Sequence, residues 1–157
     1  MQNMFTRVLV VSAIATVAAF CADNSIGTWK VNMDKSKYTP APWPVKHLTA
    51  VREVAPGGVK VTTTGEQTDG TAINGSYTAK FDGSPATVEG QGIPYDSISV
   101  KQVNANTFTY AAKNSKTKYR ASGRTVISNG GKTMTTRARG TNADGKPMTL
   151  LLVYDKQ

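Results

Sequence analysis

From residue 26 onward, apolar side chains recur at every second position, and almost every interruption carries Gly, Asn-Gly or Asp-Gly. A period of two is the imprint of half-buried strands, and those dipeptides supply the positive backbone angles that tight hairpins need. The pattern predicts strands over 26–33, 46–54, 59–66, 72–81, 86–90, 96–103, 107–113, 117–128, 132–140 and 147–155. No stretch of this part keeps a helical period. The plainest strand is 72–81, AINGSYTAKF, where Ile73, Gly75, Tyr77, Ala79 and Phe81 share one face and Asn74, Ser76, Thr78 and Lys80 the other. A one-residue slip would put two aromatic rings in water and a lysine in the core, so its register is strongly specified. The same phase sends Trp29, Val31 and Met33 inward, with Phe108, Tyr110, Met148, Leu150, Leu152 and Tyr154. Leu151 and Val153 make the last strand apolar on both faces, which predicts a central or covered position.

About ten consecutive hairpin-linked strands make an all-β chain: a single antiparallel meander barrel, or alternatively a β-sandwich. One segment stands apart. Residues 34–44, DKSKYTPAPWP, hold Pro40, Pro42 and Pro44 and are expected to run extended as polyproline II, with Tyr38 and Trp43 placed to plug one mouth of a barrel. Arg52–Asp82 and Arg124–Asp155 also share a pattern of strand, double glycine, strand with paired threonines, Asp-Gly and strand, which either an old duplication or recurrent hairpin chemistry explains.

The N-terminus reads differently. After Arg7 comes an apolar run from Val8 to Phe20, the length of a signal-peptide core and short of the roughly 20 residues that span a bilayer. The expected organisation is a signal peptide over 1–22 and one barrel domain over 23–157, secreted or periplasmic, with no membrane span after cleavage. Val17 and Ala19 fit a cut after Ala19, and a cut after Ala22 would remove Cys21. Phe20 argues against lipidation of Cys21, because the residue before a lipidated cysteine is normally small. With that cysteine gone, stability rests on burial and hydrogen bonds rather than disulfides. The formal net charge of +9 bears on solubility and on attraction to anionic surfaces. For an exported protein it points to acidic polysaccharide, lipid headgroups or cell wall rather than nucleic acid.

The first strand, Ile26-Gly27-Thr28-Trp29-Lys30-Val31, resembles the G-x-W opening strand of the calycins (the lipocalins and fatty-acid-binding proteins), and in particular the GTWK start of the latter. The ending Val153-Tyr154-Asp155-Lys156 resembles that family's last strand. The resemblance implies a barrel with the tryptophan across its closed end and a hydrophobic ligand inside. Two departures matter. A helical lid is replaced by the proline-rich segment, and the family's carboxylate-binding Arg-x-Tyr stands here as Leu152-Val153-Tyr154, which keeps the tyrosine and loses the arginine. Arg124 corresponds loosely to a further basic position of the family. The chain also resembles short secreted bacterial proteins of unassigned role that begin with the same strand.

Catalytic chemistry has little to draw on. The chain has one histidine, His47, expected to be an ordinary partly exposed residue, so a triad or a histidine-based metal site has almost nothing to draw on. Asp69, Asp82 and Asp144 each precede a glycine and serve turns. Glu53, Glu66 and Glu89 remain, the first two facing outward. No catalytic residue, metal site or cofactor is expected. Two binding readings remain. In the first, a monomeric barrel holds a small hydrophobic or amphipathic molecule among Tyr77, Phe108, Tyr110, Tyr119, Arg124 and Tyr154. In the second, Lys118, Arg120, Arg124, Arg137 and Arg139 share one face of the hairpin around Asn129-Gly130-Gly131 and attract an anionic envelope polymer or a partner protein. The same charges could instead be a solvated outer face, or could point inward toward a ligand carboxylate.

Overall fold

The computed structural model describes residues 23–157, and every regular element in it is a strand. The apolar run, Cys21 and both expected cleavage positions lie outside the described residues. The strands are β1 (Gly27–Val31), β2 (Lys37–Thr39), β3 (Val45–Ala55), β4 (Gly58–Gln67), β5 (Ala72–Lys80), β6 (Asp82–Thr87), β7 (Glu89–Gln91), β8 (Ser97–Asn104), β9 (Thr107–Lys113), β10 (Arg120–Ser128), β11 (Thr133–Thr141) and β12 (Pro147–Lys156). They form one antiparallel sheet in the order β6-β8-β9-β10-β11-β12-β1-β3-β4-β5-β7, with β2 beside β12. β1 and β2 therefore share one place along β12. Similarly, β6 and β7 act as one bent ribbon that pairs with β8 through Ala86 opposite Ile98 and with β5 through Ser76 opposite Glu89. That ribbon joins the two edges, so the sheet curls into a nearly closed barrel rather than two packed layers. The ten expected strands are all present.

Three expectations are corrected. The proline-rich segment is not polyproline II throughout, because Lys37–Thr39 pairs with Thr149–Leu151 as β2, and Ser36 Oγ accepts from the Val153 amide at 3.0 Å. These contacts leave β12 central, between β11 on one side and β1 and β2 on the other, with the outward Leu151 and Val153 half-buried. Met33 is 38% exposed, since β1 ends at Val31 and a turn closed by the Ser36 amide on the Met33 carbonyl breaks the alternation. Lys118 lies in a loop before β10, where its amide bonds to the Ala143 carbonyl. The duplicated pattern does not extend to register: the β3–β4 hairpin closes with Ala55 opposite Gly58, the β10–β11 hairpin with Ser128 opposite Thr133.

Inside the barrel, inward side chains form rows across the strands. Phe108, Thr125, Thr136 and Leu152 make one row, and Tyr110, Gly123, Ala138 and Leu150 the next. Small residues in the second row keep that wall thin. Trp29 seals the opposite end. It is fully buried, its Nε1 donates to the Ser25 carbonyl at 2.8 Å, and the Lys156 ammonium lies 5.2 Å from the ring centroid.

Candidate functional site

The rows do not meet at the barrel axis, and between them lies a cavity of about 400 Å³. That is within the roughly 300–1,000 Å³ typical of small-molecule sites. All six tyrosines of the chain, Tyr38, Tyr77, Tyr95, Tyr110, Tyr119 and Tyr154, line it. Such convergence follows from the strand phase for Tyr77, Tyr110 and Tyr154, which lie in register on the inward faces of β5, β9 and β12. Tyr38 and Trp43 arrive on the proline-rich segment, and the latter lines the cavity beside Pro44 and Val45.

Tyr95 depends on a close approach. A Cβ at Gly75 would lie 2.5 Å from Ile93 Cγ1, so only glycine lets the 92–95 loop press onto β5. Seated there, the Tyr95 ring stacks on Tyr119 with centroids 5.9 Å apart.

Burial raises the phenol pKa of every one of the six. Desolvation pushes Tyr119 up to about 12, Tyr110 and Tyr154 further, and Tyr95 well above its ordinary value. At neutral pH the lumen therefore presents neutral O–H groups, able to donate to acceptor atoms of a guest. Thr125 and Thr136, opposite each other in the β10–β11 ladder, share a hydrogen bond of 2.8 Å and add hydroxyls to the same wall.

Among the described residues one cation faces this lumen. Arg52 lies on β3 opposite Val61, which in turn pairs with Tyr77, so it shares the inward row of that tyrosine. Its guanidinium stands 5.9 Å from the Phe108 ring, and one terminal nitrogen donates to Ser25 Oγ at 3.3 Å. Its Nε is buried without a hydrogen-bond partner. Among the described residues the ion pairs are Lys46–Glu66 and His47–Glu66, so no carboxylate lies within 4.0 Å of Arg52. The nearest link to an acid runs through Ser25, whose amide donates to Asp23 Oδ1 at 2.9 Å. The charge of Arg52 also partly offsets the effect of burial on Tyr77 and Tyr154. A half-buried guanidinium without an ion pair, with its Nε shielded from water, matches an anionic or strongly accepting guest group.

The structure places Tyr77, Phe108, Tyr110, Tyr119 and Tyr154 around the cavity. Arg124 is not among them. It is exposed on the outer face of β10, directly opposite Arg137, because Thr125 takes the inward position. Arg120, Arg137, Arg139 and Lys118 are exposed as well, which excludes the inward orientation of this basic set. Arg52 and Tyr95 escaped sequence reasoning. The signal for Arg52 was its phase with Leu48 and Ala50 on β3, both of which line the cavity. His47 is exposed beside Glu66, and among the described residues no three His, Cys, Asp or Glu side chains are grouped to hold a metal ion.

No protein-family model and no curated protein matches the sequence. Solved structures do. Zebrafish ileal bile acid-binding protein, complexed with cholic acid, superposes with a TM-score of 0.50 at 12% identity, over 85% of this chain and 99% of that one. A redesigned β-barrel, mFAP1, bound to DFHBI, superposes with a TM-score of 0.42 at 18% identity, over 84% and 96%. The zebrafish match shows that this chain shares that protein's antiparallel barrel fold.

Proposed function

We propose that the protein is an exported monomer that holds one small amphipathic molecule inside its barrel and does no chemistry on it. The apolar body of the guest packs against Phe108, Ile73 and the tyrosine rings, and an acidic or acceptor-rich group reaches Arg52. The carrying observation is the cavity itself, into which six neutral phenols and one unpaired guanidinium converge. The zebrafish barrel of the same fold holds cholic acid, which supports using the lumen in this way.

Native mass spectrometry of the protein purified from its own host is expected to reveal a stoichiometric small-molecule adduct. Thr63 lines the cavity on β4, and Thr63→Trp should fill the space and abolish the adduct with the barrel intact. A bare wild-type mass, together with no rise in unfolding temperature on adding cholate or a long-chain fatty acid, would overturn the reading.

The role of Arg52 is checked separately. Arg52→Met is expected to weaken binding of a carboxylate guest by about tenfold or more, since charge-assisted hydrogen bonds contribute about 1.5–3 kcal/mol. Binding of the methyl ester should be unaffected. Equal losses for acid and ester in a calorimetric titration would mean that Arg52 only shapes the wall.

A further inference from the structure

The outer wall opposite the β3–β5 side carries a second feature, independent of the lumen. Register across β8–β11 sets Arg139, Ser122, Ala111 and Ser99 in one outward row. A row on one side holds Arg120 and Lys113, and a row on the other holds Arg137, Arg124 and Lys101. All six cations are exposed, and among the described residues none has an acid within 4.0 Å. The small side chains leave a groove of about 470 Å³ lined by Ser97, Ser99, Ala111, Ser122, Lys113, Arg120 and Arg139, and the Arg137, Arg124 and Lys101 row runs alongside it, outside its lining. The groove crosses four strands, roughly 15–20 Å at the usual strand spacing.

A face that served only solubility would mix the signs of its charges. Here Arg124 stands directly opposite Arg137, an arrangement of like charges that weakens a strand pair. The charges are thus retained against a folding cost, and an external polyanion would remove their repulsion. The face also says which polyanion. The described aromatic residues are turned to the interior: the tyrosines, Trp43 and Phe108 line the cavity, Trp29 is buried, and Phe81 packs on Phe108 at 5.1 Å. The groove therefore offers no ring for bases to stack on, the usual platform for single-stranded nucleic acid. It offers no large apolar side chain to enter a bilayer either. What remains is a hydroxyl-bearing floor with cations along both edges, suited to sugar hydroxyls flanked by periodic anionic groups.

We propose that this groove docks a linear acidic polysaccharide, whose carboxylate or sulfate groups meet Arg120, Arg124, Arg137 and Arg139 while Ser97, Ser99 and Ser122 bond its hydroxyls. The test is fluorescence anisotropy with labelled oligogalacturonate and heparin fragments. Changing Arg120, Arg124, Arg137 and Arg139 together to Ser is expected to weaken binding by about tenfold or more and to flatten its salt dependence. A control that changes Lys30, Lys35, Lys60 and Lys80 to Ser removes the same charge from other faces and should stay within about twofold of wild type. Equal losses in the two variants would overturn the proposal in favour of net charge alone. Tighter binding to oligo-deoxythymidine, or to phosphatidylglycerol vesicles, would overturn it in favour of nucleic acid or membrane. Ala111→Glu with Ser122→Glu places carboxylates on the exposed floor and keeps every arginine, and it must show the same loss if the groove is the site.

Discussion

Replacing Trp29 by alanine is expected to destabilise the barrel by about 3–5 kcal/mol, with a further contribution from the hydrogen bond lost at its ring nitrogen. The side chain is fully buried, and so is Ser25, whose carbonyl would be left without its indole donor. Against a usual total of about 5–15 kcal/mol, that is enough to bring the protein near unfolding at ordinary temperature. Urea titrations of the two proteins, followed by far-ultraviolet circular dichroism, measure the difference. A loss under about 1 kcal/mol would mean that Trp29 does not seal the barrel. Trp43→Ala should contrast with it. That ring is half-buried where the proline-rich segment meets the cavity, so its removal should cost little stability and should loosen guest binding instead.

The contrast between the two tryptophans reflects what a sequence of this kind makes legible. Trp29 sits in an alternating strand, and period two alone settled its inward direction, as it did for Tyr77, Phe108, Tyr110 and Tyr154. On β10 and β11 alternation put Arg120, Arg124, Arg137 and Arg139 on one shared face and left open whether that face pointed in or out; the structure turns it outward, which takes Arg124 out of the lumen set. The errors came where alternation is locally interrupted or supplies no partner. Met33 and Lys118 lie just beyond strand ends, where a turn or a loop resets the phase. β2 was invisible because a three-residue strand among prolines has no period of its own, and its pairing with β12 is a long-range fact. Arg52 was passed over for a different reason. Its phase was readable but went unconsidered, and the register with Val61 and Tyr77 shows it facing the lumen. Tyr95 lies in a loop that Gly75 allows to approach β5, a contact that no local pattern encodes.

The convergence of the tyrosines carries its own consequence for stability at high pH. In the unfolded chain these phenols ionise near pH 10, whereas burial raises the folded values, with Tyr119 at about 12, Tyr110 and Tyr154 higher still, and Tyr95 well above its ordinary value. Below about pH 10 both states keep their protons, and these groups leave stability unchanged. Above it the unfolded chain binds fewer protons than the folded one, so stability falls as pH rises. Each phenol held neutral in the barrel contributes a slope of about 1.4 kcal/mol per pH unit, and the four together about 5. A barrel of ordinary stability should therefore open cooperatively within about one to three pH units above 10. Phenolate absorbance and sheet circular dichroism should change in the same step. Tyr110→Phe removes one ionising group and should reduce the slope by about a quarter, with little effect at neutral pH. If the tyrosines instead titrate near pH 10 while the sheet signal stays intact, water already reaches the phenols, and the enclosed lumen on which guest binding depends would not exist in solution.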